Sequence, residues 1–489
     1  MNIRKGLPGG QYKPLSEEKI NRIHQSVLQV FEEIGVEVNH PKARELFQQA
    51  GAERVGDTDI MRMKSSLVED LISRAPSIIT LCGRAEDGLH DLELGDRNVY
   101  MGTGGTALNV QDSGCENSRR AGIRDIVDMA RLVDKLDNIH FYMLNVYPHD
   151  IPEESVDINR FAAALNHTSK HIMGGVYTVE GVRNVIKAAE IIAGSPDKLR
   201  DRPFISMVTC VISPFKLDKT YAELIMEVAG SGIPVVVPAE PLCGATSPVT
   251  LAGSLVIQTV DTLAGVLLAQ LTNPGTPVIN GSVASITDLH DMKYISGAVE
   301  MGLLNAAGAQ MAQYYGLPFY ATAGMSDAKT NDVQAGYESA ITSTMVALAG
   351  GNFIHDAAGF LEFCMTASYD KLVIDNEIIG MVMRAVDGIR VDDNTLALDV
   401  IRQVGPGGHF VTSRHTRRNM RKEIYQPQLS DRETRTLWEN AGKKNAAARA
   451  AEKVSAVLTQ PREQYIPIES RERIMRDISG IHESIMDLK

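Results

Sequence analysis

Short runs rich in β-branched residues recur along this chain, and each is followed by a segment rich in Gly and Pro. These segments contain aromatic side chains and few charged ones. Tyr100, Tyr147 and Phe360 stand near the ends of three such runs, and Glu240 is the obvious carboxylate at the end of a fourth. Aromatic faces attract a quaternary ammonium through cation–π interaction, and glycine lets a ligand approach the backbone closely. These residues predict a pocket for a small cation, with Glu240 either near the ammonium or held in a structural hydrogen bond.

A histidine and an amide are candidates for binding the opposite charge. His355 ends the last run beside Asp356, and Gln334 follows the run before it. Imidazole and amide N–H groups donate to carboxylates, so we expect His355, with Gln334 behind it, to bind an acidic group of a substrate. Each has a structural alternative: His355 as a satisfied core group, and Gln334 as part of a first helical turn. Tyr177 and Tyr320 fit either the pocket or the core, and no residue is assigned as catalytic.

Common cofactor and metal motifs are missing from the chain. Gly102–Gly105 matches neither of the glycine patterns that bind nucleotide phosphates. No Cys/His cluster has metal-ligand spacing, so we predict no metal site, although ligands from separate loops remain an alternative.

Eight β-branched runs alternate with helical patterns and must position these residues. The predicted helices include 122–137, 180–194, 250–272, 290–315 and 332–349. The runs follow one another at roughly 30 to 43 residues, which is typical of β–α units with a parallel sheet. Closure of eight such units removes both sheet edges. The sequence therefore predicts an α/β fold, a (β/α)8 TIM barrel, and the alternative is a doubly wound open sheet with two fewer strands. The predicted runs are 98–103, 140–147, 171–177, 202–207, 233–237, 276–280, 317–321 and 352–356.

The two ends of the chain differ from this central pattern. We expect an N-terminal helical and hairpin extension over 1–95, the barrel over 96–390, and a C-terminal helical extension over 391–489. In the first extension, Ser16 is a candidate cap for a helix to about residue 34, followed by a hairpin around 78–95. The extensions either cover the barrel or mediate assembly, and we expect a homo-oligomer.

Bulk composition narrows the class of partner and the compartment. The 489 residues carry a net charge of −12, which argues against nucleic acid or an anionic membrane as a partner. Five cysteines form no C-x-x-C pair, and the N-terminus has no apolar run. We therefore expect a cytoplasmic protein with reduced thiols and no membrane association.

Several stretches resemble the trimethylamine methyltransferase family, in its branch that lacks pyrrolysine. The similar stretches are Asp332–Glu338, Ala349–His355, Tyr369–Ile378, Gly405–His409 and Leu437–Asn440. The resemblance implies a barrel enzyme that moves a methyl group from a small methylated amine to the Co(I) corrinoid of a separate corrinoid protein. Without pyrrolysine, the expected substrate is a quaternary amine, with glycine betaine as the best candidate.

The cobalamin or other corrinoid is thus expected on the partner protein, with none tightly bound to this chain. Asp288–Lys293 approaches the corrinoid-binding pattern Asp-x-His-x-x-Gly, but Lys293 replaces the glycine, so we interpret the match as coincidence. Open alternatives are another methylated amine (proline betaine, carnitine or trimethylamine), a non-catalytic barrel binding protein, and a barrel lyase or hydrolase with an unrecognised metal.

Overall fold

A computed structural model describes residues 6–85 and 87–486 and shows an α/β fold with one large mixed sheet and four smaller ones. Eight parallel strands form the large sheet. They are β1 (Asn98–Thr103), β2 (Tyr142–Met143), β3 (Ile172–Gly175), β4 (Ile205–Val208), β5 (Val235–Ala239), β6 (Val278–Ser282), β7 (Phe319–Thr322) and β8 (Phe353–Ala358).

A long helix follows each strand. The eight helices are α1 (Ile123–Asp134), α2 (Val156–His167), α3 (Val179–Ala193), α4 (Lys219–Ser231), α5 (Leu251–Thr272), α6 (Val299–Tyr315), α7 (Val333–Ala349) and α8 (Tyr369–Asp387). Several begin at a side-chain cap, such as Thr178 or Asp332, and end at a left-handed glycine, such as Gly232 or Gly350.

The strands pair in sequence order from β2 to β8, and β8 pairs in parallel with β1. On its other side β1 approaches the start of β2: Gly102 forms a parallel bridge with Phe141, and the His140 N–H donates to Met101 O at 2.8 Å. Leu7–Pro8 adds a short antiparallel strand to β1.

One apolar cluster contains a side chain from, or directly before, every strand of this series. Its members on the eight strands, or directly before one in the case of Phe141, are Tyr100, Phe141, Met143, Met173, Val208, Val236, Ile279, Tyr320 and Phe353. The predicted hairpin is present as Ile78–Leu81 paired with Leu92–Gly95, and its apolar residues, including Leu81 and Leu92, join the same cluster. The hairpin therefore packs against one face of the large sheet.

The predicted strands lie close to the observed ones, with two informative differences. The run 140–147 contains only the two-residue strand β2, because its later residues form the loop toward α2. The helix predicted over 290–315 begins only at Val299, because Ser285–Thr287 and Tyr294–Ile295 pair as a hairpin. Asp288–Lys293, the stretch similar to a corrinoid motif, forms the turn of that hairpin.

Two small sheets arise from loops that follow the large-sheet strands, and both contribute to the cavity described below. One joins Leu242–Cys243, Ser285–Thr287 and Tyr294–Ile295. The other joins Phe360–Leu361, Thr366–Ser368, Asn109–Gln111 and Ser118–Arg120.

The N-terminal extension contacts the central part of the chain through helices and a third small sheet. Ser16 caps the first helix as predicted, accepting from Lys19 N at 3.4 Å. The third sheet pairs an N-terminal strand with a strand from the loop after β4. The remaining elements before β1 are helices Glu17–Gln29, Val30–Ile34 (a π-helix), Pro41–Gln49 and Ser65–Ser73, and strands Val36–Val38, Glu53–Arg54 and Ile60–Arg62, with Lys216–Leu217 completing the sheet.

Helix α5 is the one helix in the described residues that is long and apolar enough to cross a membrane by length and composition alone. Its most apolar window is 72% buried inside the protein, with the first and third N-terminal helices packed on it. Shorter helices make up the rest. They are Glu153–Ser155, Pro196–Asp201, Asp393–Leu396, Leu398–Val404, Arg414–Glu423, Arg435–Asn440, Ala446–Leu458, Ile468–Asp477 and Glu483–Met486.

Candidate active site

A cavity of about 460 Å³ lies where the parallel strands end and their following loops begin. In parallel α/β folds, this end of the strands is where ligands bind, and the volume suits a small molecule. The lining comes from strand ends, loops and one helix: Gly105, Thr106, Met143, Gly175, Val176, Tyr177, Val208, Cys210, Tyr221, Pro238, Glu240, Val283, Tyr294, Tyr320, Met325, His355, Asp356, Phe363, Cys364 and Met365.

His355 borders the cavity near the middle of β8 and is fixed from three sides. Its Nε2 makes a short hydrogen bond with Thr322 Oγ1, and that hydroxyl also donates to Ser282 O at 2.9 Å. The imidazole stacks on Tyr320, with ring centroids 3.9 Å apart and planes 7° apart. Its Nδ1 lies 3.0 Å from an Asp356 carboxylate oxygen but without hydrogen-bond geometry. The ring is therefore held in place while Nδ1 keeps hydrogen-bonding capacity.

Asp356 is a strained residue with an unsatisfied oxygen. Its φ is +59°, in the left-handed region that non-glycine residues avoid. Its buried Oδ1 accepts no hydrogen bond. Gly104 is needed beside it, because a Cβ on Gly104 would lie 1.5 Å from that Oδ1. A strained, unpaired carboxylate at a cavity wall is the arrangement expected of a group that a ligand completes.

The turn after β8 is also strained where it meets the cavity. Glu362, Phe363 and Cys364 are consecutive residues with φ values of 54°, 60° and 67°. They connect Phe360–Leu361 to Thr366–Ser368, and Phe363 and Cys364 line the cavity. Backbone strain of this kind costs about 1–3 kcal/mol per residue and concentrates at functional sites.

Glu240 follows β5 and is the second carboxyl group of the cavity. Its side chain is exposed because it borders open space, yet protein surrounds it closely enough that burial, and next the charge of Asp356, raise the pKa of this carboxyl to about 7. A cation in the cavity would favour ionisation of Glu240. In the described part of the chain, the lining contains no lysine or arginine.

Four tyrosines line the cavity: Tyr177, Tyr221, Tyr294 and Tyr320. Burial is the main cause that holds the pKa values of Tyr294 and Tyr320 well above that of free tyrosine, and nearby carboxylates add to the effect. Both rings thus stay neutral, and the buried Tyr294 hydroxyl makes no hydrogen bond. Neutral aromatic rings beside two carboxyl groups form a site for an organic cation.

A buried arginine lies directly behind one side of the cavity. Arg160, on α2, is 0% exposed. Its Nη2 donates to Thr106 Oγ1 at 3.0 Å and to Leu144 O at 3.1 Å. Its Nη1 donates to Gly175 O at 3.2 Å and to the Tyr177 hydroxyl at 3.4 Å. The guanidinium therefore connects the loops after β1, β2 and β3.

Two cysteines line the cavity without nucleophilic character. Burial, followed by the charge of Glu240, raises the pKa of Cys210 to about 12. Burial, followed by the charge of Asp356, holds the pKa of Cys364 well above that of a free thiol. Because the thiolate is the nucleophile, both side chains act as apolar wall atoms at neutral pH.

The structure brings His355 and Glu240 to the cavity, as the sequence suggested, and leaves two further candidates beside it. Tyr147 packs edge-on against the lining residue Tyr177, with centroids 5.8 Å apart. The Gln334 amide donates to Glu338 Oε1 at 2.9 Å, within the first turns of α7. Glu338 in turn accepts from the Ser326 hydroxyl and the Asp327 N–H, so this network positions the loop after β7.

Tyr100 and Phe360 lie away from the cavity, which corrects the geometry inferred from the sequence. Tyr100 pairs with Phe353, and its hydroxyl accepts from Gly6 N at 2.8 Å and Glu93 N at 3.2 Å. It therefore points to the N-terminal segments rather than to the strand exit. Phe360 is 0% exposed in the main apolar core, while Phe363 of the following turn lines the cavity.

Sequence reasoning missed Tyr221, Tyr294 and Arg160. Tyr221 and Arg160 lie on helices, and Tyr294 lies on a hairpin that was predicted as helix. A search limited to strand ends could not find them. One local signal existed for Arg160: it directly precedes the apolar run 161–165 of α2, which implies a buried polar contact.

No group of three His, Cys, Asp or Glu side chains within residues 6–85 and 87–486 is arranged to hold a metal ion. His167 and His171 are four residues apart, but they make separate contacts. His167 Nδ1 bonds Ala163 O at 2.8 Å, and His171 Nε2 bonds Ser206 Oγ at 2.9 Å. Burial lowers the pKa of each imidazole to about 4, which is typical of neutral structural histidines.

Comparison with known proteins gives a family assignment over nearly the whole chain. Residues 2–483 match the family model described as Trimethylamine methyltransferase (MTTB). A trimethylamine methyltransferase of Desulfitobacterium hafniense (strain DSM 10664 / DCB-2) is 36% identical over 96% of this chain and 94% of its own length. A glycine betaine methyltransferase of Desulfitobacterium hafniense (strain Y51) is 33% identical over 88% of each chain.

Among solved structures, the Methanosarcina barkeri monomethylamine methyltransferase aligns over 98% of this chain and 96% of that chain, with 11% identity and a TM-score of 0.46. The family assignment does not use that structural likeness. It rests on the family match over residues 2–483 and on the two relatives above 30% identity. The chain belongs to the trimethylamine methyltransferase family and is an enzyme of the methyltransferase class.

Proposed function

We propose that this enzyme moves a methyl group from a small quaternary amine to the Co(I) corrinoid of a separate corrinoid protein. The observation that carries the proposal is the cavity in which Tyr177, Tyr221, Tyr294 and Tyr320 surround a space bordered by Glu240 and Asp356. Glycine betaine is the first candidate substrate, because it is named for one relative and because this sequence contains no pyrrolysine.

Quaternary ammonium chemistry is consistent with these side chains. Loss of a methyl group from a quaternary ammonium leaves a neutral tertiary amine, so no proton is needed on the leaving nitrogen. The protein then has to hold the cation, aim one methyl group at the opening and exclude water. The neutral tyrosines and the carboxyl groups of Glu240 and Asp356 suit the first of these tasks, and the packed lining suits the others.

The corrinoid would supply the strong nucleophile when the partner protein docks. The cavity has room for a small amine but not for a corrinoid ring, which supports a carrier that approaches from outside. The Asp356 carboxyl group at the cavity wall attracts a quaternary ammonium through charge alone, because that cation has no N–H to donate. The role left to this chain is binding and orientation of the methyl donor.

We also propose that the eight parallel strands close into a (β/α)8 barrel. Support comes from the β8–β1 pairing, the Gly102–Phe141 bridge beside β2, and the apolar cluster that draws on all eight strands.

Homo-oligomer formation in the cytoplasm is a further proposal. Exposed apolar side chains on the C-terminal extension, such as Val391 and Val411 at 70% or more, support self-association.

A methyl-transfer assay tests the function. The purified chain is mixed with Co(I) cobalamin and one of a panel of amines, and the change in cobalt absorbance is followed. We expect turnover with glycine betaine and none with trimethylamine. Turnover with trimethylamine alone would instead favour the substrate of the 36% identical relative, and no turnover with any amine would overturn the proposal.

A further inference from the structure

We infer that Thr106 and Tyr177 bind the carboxylate of a zwitterionic amine, with Arg160 behind them supplying the positive charge. The inference rests on the proposed function and deepens it, because it distinguishes betaines from quaternary amines that lack a carboxylate. None of these three residues stood out in the sequence as a carboxylate site.

Arg160 is a buried cation that hydrogen-bonds only neutral oxygens among its described contacts. Its partners are two hydroxyls, of Thr106 and Tyr177, and two backbone carbonyls. Oδ2 of the nearby Asp157 accepts hydrogen bonds from the N–H groups of Tyr177 and Thr178. Asp157 Oδ1 makes no hydrogen bond, and no ion pair joins Asp157 to Arg160 among the described residues, so the guanidinium has a carboxyl group nearby but no direct charged partner. A buried charge with partial compensation attracts an opposite charge from a ligand.

Two hydroxyls transmit this charge to the cavity. Thr106 Oγ1 and the Tyr177 oxygen both accept from Arg160, at 3.0 and 3.4 Å, and each keeps its own O–H to donate. Both residues line the cavity, whereas Arg160 itself does not. A hydroxyl that accepts from a cation is a stronger donor on its other side. A carboxylate would therefore meet two polarised donors without displacing the arginine.

The two carboxyl groups of the cavity differ in their distance from Thr106: Asp356 on the neighbouring β8 lies beside Gly104, whereas Glu240 comes from the far side of the sheet. Thr106 follows β1, whereas Glu240 follows β5, and three strands separate β1 from β5 in the sheet. Glu240 and Tyr294 come from the loops after β5 and β6 and line the cavity there. The lining thus offers carboxyl groups and aromatic rings for a cation. It also offers two hydroxyl groups that accept from Arg160 and can donate to an anion. A molecule carrying a quaternary ammonium and a carboxylate a few bonds apart matches both ends.

Calorimetric binding to the full chain tests the inference without any corrinoid. The two probes are glycine betaine and choline, which share the trimethylammonium group and differ in the carboxylate. We expect Thr106→Val and Tyr177→Phe each to lower the ratio of betaine affinity to choline affinity by about 10-fold or more, the usual loss for a hydrogen bond to a charged group. Thr344→Val is the matched control, because its hydroxyl bonds Ala340 O within α7.

The outcomes separate the inference from the function on which it rests. Equal losses for both probes, or no change in the ratio, would overturn the carboxylate site while leaving a quaternary-amine site intact. Failure of the unmodified chain to bind either probe would overturn the inference and the proposed function together. A ratio that falls in both variants and stays constant in Thr344→Val supports the assignment of Thr106 and Tyr177.

Discussion

Protonation of Glu240 should control how tightly the enzyme binds a quaternary amine. Burial and the charge of Asp356 raise the pKa of Glu240 to about 7. The free enzyme therefore carries a neutral Glu240 below pH 7 and a carboxylate above it. A cation needs the carboxylate, so binding should weaken as the pH falls through 7. Neither charged group of glycine betaine titrates between pH 6 and 8, which leaves the protein as the source of any change.

The size of the effect follows from the ionised fraction. With a pKa of about 7, that fraction is about 0.1 at pH 6 and about 0.9 at pH 8, and the apparent affinity scales with the competent fraction. The dissociation constant for glycine betaine should thus fall about 10-fold between pH 6 and pH 8. Protons should be released on binding near pH 7, as measured by calorimetry in buffers with different ionisation enthalpies.

Glu240→Gln removes this carboxyl group and leaves the other lining residues of the cavity in place. The variant should bind more weakly at pH 8 and lose most of the pH dependence, while Glu180→Gln, at an exposed position at the start of α3, should behave like the unmodified enzyme. A dissociation constant that is flat from pH 6 to 8, or a pH profile that Glu240→Gln leaves unchanged, would refute the reasoning.

Three further predictions concern His355, Asp261 and cofactor content. His355→Ala should lower kcat/KM for a betaine by about 10- to 100-fold, because it removes a fixed polar wall of the cavity and the stacking partner of Tyr320; unchanged kinetics with a lower Tm would make this histidine purely structural. Asp261 is 0% exposed and accepts from Ser213 Oγ and Phe215 N at 2.6 Å, and burial raises its pKa to about 7. Because the folded-state pKa is raised, its contribution to stability is full below about pH 4 and is lost as the pH rises through 7. Asp261→Asn should therefore be more stable than the unmodified chain at pH 8, by up to about 4 kcal/mol, and similar to it at pH 4; equal Tm shifts at both pH values in thermal scans would argue against this. The purified chain should be colourless and keep its activity with added cobalamin after treatment with a chelator, whereas stoichiometric cobalt or loss of activity on chelation would contradict the assignment.

Much of the large sheet was predictable because parallel strands are short apolar runs with a regular separation. β1 matches its predicted run, and α5 and α7 begin and end within about one residue of prediction. The hairpin at 285–295 was missed because its strands are only two or three residues long. Such strands are stabilised by tertiary contacts and leave no periodic pattern in the sequence.

The candidate site was only half predictable for a related reason. His355 and Glu240 follow strands directly, so their position in the chain indicated their position in space. Tyr100 also lies on a predicted strand. The direction of its side chain, however, depends on the hairpin and the N-terminal segment that it contacts. Arg160 reaches the cavity wall from a helix, and only the folded arrangement of the loops after β1 and β3 reveals that contact.

Transfer of a labelled methyl group tests the central claim most directly. Glycine betaine with 13C in its N-methyl groups is incubated with the enzyme and excess Co(I) cobalamin, and both products are quantified by NMR and mass spectrometry. The account predicts one labelled methyl group in the cobalamin fraction for each dimethylglycine formed, with a rate that falls in Glu240→Gln. Dimethylglycine without label on cobalamin, or no reaction with glycine betaine or any other quaternary amine, would contradict it.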